Sequence, residues 1–158
     1  MMQNYGDLVA DALKRVTEIM PWDLSEMLAA GKQPMLIDVR EASEFALLHL
    51  PGSINVARGV LEQSCEWDYE ETVPALAAAR DQEIVVICRN GKRSALAADV
   101  LLRMGFSRVV SLNTGVRGWS DYEQPLLDAR GAGLDADAAD ELLAPLLRPE
   151  QRRPKSHP

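Results

Sequence analysis

The sequence predicts an α/β domain: a central, mostly parallel sheet flanked by helices on both faces. Three observations predict it. Strand-like and helix-like stretches alternate from residue 21 to residue 125. The strand-like stretches, "PMLIDV" and "EIVVIC" above all, are nearly continuously apolar, as strands buried on both faces must be. The chain has 158 residues, 47% of them hydrophobic, which suits one core with short extensions.

Each element has its own signal. In "YGDLVADALKRVTEIM", residues 5–20, Tyr5, Leu8, Val9, Ala12, Leu13, Val16, Ile19 and Met20 fall on one helical stripe. This predicts an amphipathic helix over 1–20, ended by Pro21 because the residue before proline avoids helical geometry. "WDLSEMLAAGK" reads as a short helix with Asp23 as N-cap and Gly31 closing it. "PMLIDV" is a buried strand, "REASEFALLHL" one or two helical turns, and "PGSINVA" a turn into a short strand. Residues 59–72 read as a loop with a helical turn, and "VPALAAARD" as a helix. "EIVVIC" is the strongest strand, "SALAADVLLRMGF" a helix closed by Gly105, "SRVVSL" the last strand, and "GVRGWSDYEQP" a turn and short helix. The domain therefore spans 21–126. Residues 127–158 form an extension with one acidic amphipathic helix, "DADAADELL", and a proline- and arginine-rich tail expected to be loosely attached and disordered at its end.

Composition excludes several classes. A net charge of −7 argues against a nucleic-acid binder, which shows a basic field. No stretch reaches the ~18–20 apolar residues of a membrane span, and Asp7, Asp11 and Glu18 interrupt any signal-peptide core. Two cysteines, Cys65 and Cys88, are too few for a disulfide scaffold and favour a reducing, cytoplasmic setting. No cofactor and no metal site is expected.

The chemistry is concentrated in "VVICRNGKRSALAADVL", residues 85–101. Cys88 ends the strongest strand, and ligands of parallel α/β sheets bind at that edge. Gly91 permits dihedrals that let successive N–H groups converge, and the following helix, expected to start near Ser94 or Ala95, turns its positive end to the sulfur. Both effects, with Arg89, Lys92 and Arg93 nearby, favour a thiolate. Ser94 reads as a helix cap.

Three stretches in this order resemble the rhodanese-like sulfurtransferases. "LIDVREASEFALLHLPGSINVA" is similar to that family's first signature, although Leu48 stands where the family often has glycine. "VVICRNGKRSALAADVLLRMGF" resembles its active-site loop and helix, and "VVSLNTGVRGW" its closing segment. The resemblance implies a five-stranded sheet and a catalytic Cys88 that carries a sulfane sulfur as a persulfide. It also implies a substrate cradle formed by Arg89, Asn90, Gly91, Lys92 and Arg93. A small anionic donor such as thiosulfate would load the cysteine, and a thiol or cyanide would accept the sulfur. The alternative is a persulfide carrier docked on a protein acceptor. A phosphatase or arsenate reductase on the same fold would need a loop one residue longer than "CRNGKR".

Asp38, Arg40 and Glu44 read as a structural polar cluster, with Arg40 and Glu44 at helical contact spacing. His49 reads as structural and Trp119 as core or pocket wall. Cys65 is either a resolving thiol or an incidental cysteine.

Overall fold

Residues 2–155 are described by a computed structural model. Five strands form one parallel sheet: β1 (Thr17–Ile19), β2 (Met35–Asp38), β3 (Ile54–Asn55), β4 (Glu83–Ile87) and β5 (Arg108–Leu112), in the order β1-β5-β4-β2-β3. The central strand β4 pairs Ile37 with Val86 on one side and Val85 with Val110 on the other. Alternation along it assigns the two faces. Ile84, Val86 and Cys88 belong to one buried cluster, and Val85 and Ile87 to the other.

The first face is covered by α4 (Leu61–Ser64), α5 (Pro74–Ala77) and α6 (Lys92–Arg103), through Leu61, Leu76, Ala97, Ala98 and Leu101. The second is covered by α2 (Pro21–Ala29), α7 (Gly115–Asp121) and α8 (Ala136–Leu143), through Leu24, Val116, Trp119, Ala139 and Leu143. Two more helices flank these layers: α1 (Tyr5–Leu13), which packs on α6, and α3 (Ala42–Leu47).

Several expectations are corrected. The helix expected to run to residue 20 ends at Leu13, and Thr17–Ile19 form an edge strand that pairs Thr17 with Val110 and Ile19 with Leu112. Val16, Ile19 and Met20 fit a helical stripe equally well, but β-branched Val16, Thr17 and Ile19 favour extended backbone once β5 offers a partner. Pro21 starts α2 rather than ending a helix, as suits a residue with no N–H to leave unpaired. Asp23 sits inside that helix and accepts the Met20 N–H at 2.8 Å instead of occupying the N-cap. The extension is attached through α8: Ala139 and Leu143 are buried against α7. The last residues of the tail, 156–158, lie outside the described residues.

Arg40 is not paired with Glu44. It is buried and donates to both carboxylate oxygens of buried Asp38, from Nη2 at 2.8 Å, and to the Leu48 carbonyl at 2.6 Å. Asn55 Nδ2 donates to the carbonyls of Asp38 and Arg40. These bonds fix the chain between β2 and α3 below the loop that follows β4.

Candidate active site

The site lies where β4 ends. Past Ile87 the chain turns through Cys88–Gly91 into α6, and Gly91 takes the N-cap position in left-handed geometry at φ 95°. A Cβ there would meet the Thr114 nitrogen at 3.0 Å, so glycine suits both dihedral and space. This turn directs the Gly91 N–H onto Cys88 Sγ at 3.0 Å. The sulfur also lies 3.3 Å from the Ser94 hydroxyl, which is 2.8 Å from that of Ser111. Ser94 is thus no cap: it sits buried inside the first turn of α6, because the helix begins at Lys92, ahead of the start near Ser94 or Ala95 that its sequence suggests.

Cys88 has 0% exposed surface. Its sulfur does not sit among aliphatic groups alone; it faces an amide N–H and a hydroxyl at the positive end of a twelve-residue helix. The amide N–H and the helix end stabilise negative charge on sulfur, while the thiol donates to the Ser94 oxygen.

The other loop residues are placed as follows. Asn90 and Lys92 are exposed, and the Lys92 amide donates to Asn90 Oδ1 at 3.2 Å. Arg93 forks onto Glu44 of α3, with nitrogen–oxygen distances of 2.9 and 2.8 Å. That hydrogen bonding holds the Glu44 carboxyl below the usual carboxylate range and raises the Arg93 guanidinium. Arg89 reaches away from the sulfur to the Leu143 carbonyl at the end of α8. Arg89 and Arg93 are therefore tied to neighbouring elements, and the backbone supplies the donor at the sulfur.

Two features escape a sequence reading. The first is the brace from α7, whose Val116 and Arg117 amides donate to the carbonyls of Cys88 and Arg89 at 2.9 and 3.0 Å. It requires Gly115, where a Cβ would lie 2.3 Å from the Cys88 oxygen. The glycine of "GVRGW" was visible, but its contact was not. The second is Tyr5 in α1, whose ring lies 5.9 Å from Lys92 Nζ. Partial burial raises its phenol, and nearby Arg93 offsets part of this.

Cys65 is buried, and burial pushes its thiol up to about 11. This fits a core cysteine better than a resolving one. His49 stacks on Phe45 at 4.0 Å and donates from Nδ1 to the Phe45 carbonyl, and Trp119 is buried with its N–H on the Pro125 carbonyl. Among the described residues no cluster of His, Cys, Asp and Glu could hold a metal ion, and no helix is long and apolar enough to cross a membrane.

The model of the rhodanese-like domain matches residues 20–122, a stretch that holds β2 to β5 and leaves out β1. The chain belongs to the rhodanese-like domain family. It is 32% identical over 124 residues to the adenylyltransferase and sulfurtransferase UBA4 of Candida albicans, covering 73% of this chain and 26% of that protein. It is 26% identical over 116 residues to a sulfurtransferase of Allochromatium vinosum, covering 73% and 99% respectively. This rhodanese-like domain thus spans about a quarter of the Candida relative's length. Among solved structures, a protein of unknown function from Rhodopseudomonas palustris, described as a possible tyrosine phosphatase, superposes with TM-score 0.71 at 24% identity. That match covers 79% of this chain and 95% of the other, and at this identity it speaks to fold alone.

Proposed function

We propose that this chain is a sulfurtransferase in which Cys88 carries the moving sulfur. One observation carries the reading: the Gly91 N–H lies 3.0 Å from Cys88 Sγ, at the carboxyl edge of the central strand and the amino end of α6. A persulfide anion needs such donors, because its charge is otherwise exposed to a low-dielectric interior. Sulfurtransferase relatives support the same chemistry, and the six-residue "CRNGKR" loop favours sulfur over phosphate.

The reaction is a double displacement. The Cys88 thiolate attacks the outer sulfur of thiosulfate or a similar donor. The donor's S–S bond breaks, and sulfite leaves with the electron pair. An acceptor thiolate or cyanide then attacks the outer persulfide sulfur, and the pair returns to Cys88. Exposed Leu47, Leu142 and Leu146 line a cleft beside Arg89, which favours a protein as acceptor in a second reading.

Intact mass after thiosulfate treatment tests the proposal. The expected gain is about 32 Da, absent in Cys88→Ser; a wild-type protein that never gains it overturns the reading. For the second reading, Leu146→Glu is expected to lower transfer to protein thiols relative to transfer to β-mercaptoethanol. Equal transfer to both sinks it.

A further inference from the structure

Two clefts meet at the active loop. One, of about 490 Å³, lies between α2 and α7, with Trp22 and Tyr122 as its aromatic walls. Their rings stand edge to face at 6.0 Å, and each is about half exposed. The other, of about 350 Å³, is lined by Arg89, Arg117, Leu143 and Pro145. Asn90 and Arg117 belong to both, so the clefts form one groove with an apolar end, a cationic end and Asn90 between them. Asn90 is two residues from Cys88.

The groove is fixed relative to the thiol. The Val116 and Arg117 amides hold the carbonyls of Cys88 and Arg89, so the wall built by α7 cannot shift without the loop. Its cationic end is underused. Arg117 reaches Asp121 at 3.5 Å and the Leu143 carbonyl at 3.4 Å, both long, and Arg89 shares that one neutral oxygen. A carboxylate between them would give both guanidinium groups a charged partner, which, among the described residues, Arg89 lacks and Arg117 has only in exposed Asp121 on the groove's wall.

We propose that this groove is the acceptor site and selects a small thiol bearing an apolar body and a carboxylate. The body lies against Trp22 and Tyr122, the carboxylate lies between Arg89 and Arg117, and the sulfur lies over Asn90. The assignment rests on the sulfur-transfer reading. The acceptor thiol releases its proton to solvent, and its sulfur bonds to the outer persulfide sulfur. The bond to Cys88 then breaks with the electron pair going to Cys88, and the acceptor leaves as its own persulfide.

The test compares α-mercapto-β-phenylpropanoate, which has all three features, with thiolactate, which lacks the ring, as acceptors for loaded protein. The wild type is expected to favour the aromatic acid by about tenfold in kcat/KM. Trp22→Ala is expected to abolish the preference, and Trp22→Phe to restore most of it. Replacing the carboxylate by methyl should cost about tenfold in the wild type and little in Arg117→Gln. Calorimetry with β-phenylpropanoate, which has no thiol, reads the groove without any sulfur chemistry. Binding to the wild type, weakened at least about fivefold by Trp22→Ala, is expected.

Sulfur transfer with no preference between the acids, or a preference that survives Trp22→Ala, overturns the proposal and leaves the transferase reading standing. Binding of β-phenylpropanoate by a protein that never takes up sulfur overturns the acceptor role and the transferase reading together. Absence of that binding removes the groove as a site.

Discussion

Close approach governs single residues around the sulfur. The carbonyl of Cys88 receives the Val116 N–H only because residue 115 has no side chain; the nearest backbone atoms would lie 2.3 and 2.6 Å from a Cβ. Backbone cannot yield as a flexible side chain can, so Gly115→Ala must part α7 from the loop. It is expected to lower sulfur loading at least about tenfold and to destabilise by roughly 3 kcal/mol or more, read by intact mass and denaturant unfolding. Normal loading and stability would show that the brace does not matter. Cys65 is the opposite case, a thiol that packing makes inert. Burial raises it to about 11, so at pH 8 iodoacetamide is expected to leave Cys65 untouched until the protein unfolds. Rapid native labelling at Cys65 would reopen a role for it in sulfur exchange.

Elements are tied to the loop by an ion pair from Arg93 and a hydrogen bond from Arg89 to the Leu143 carbonyl. The fork from Arg93 to Glu44 links α6 to α3, although the two residues are 49 positions apart. Arg93 holds the Glu44 carboxyl below its usual range, so the folded state binds that proton less readily than the unfolded chain. The stabilisation is therefore complete above the ordinary carboxyl value of about 4.3 and is lost as pH falls through the lower folded value. Glu44→Gln is expected to be less stable than wild type at neutral pH, with the two converging in acid. A difference independent of pH would show that packing, not charge, accounts for it. Because the pair is about one-third exposed, added salt should weaken it as well.

The whole molecule depends on its first twenty residues as part of the sheet. β1 supplies an edge, and Val9, Ala12 and Val16 are buried, so this segment is not a detachable arm. Burying the two valines alone contributes about 3 kcal/mol, a sizeable share of the ~5–15 kcal/mol that holds a typical domain together. Deleting residues 1–20 is expected to lower Tm by more than about 10 °C, measured by calorimetry. An unchanged Tm would return the segment to the status of an appendage. The matched region, residues 20–122, leaves both α1 and β1 outside it.

The sequence by itself determined the layered α/β class, four of the five strands, and a nucleophile-bearing loop at the end of the strongest of them. These are legible because local pattern carries them: continuous β-branched runs, a glycine that permits a sharp turn, and a small-residue helix directly after it. Only the tertiary structure decided that residues 17–19 are a strand, because extended backbone there wins through a partner 93 positions away. The same is true of Arg93 binding Glu44, Arg89 reaching Leu143, and Ser94 facing the sulfur. Long cationic side chains select among partners by distance and desolvation, and those are fixed only when the helices have packed.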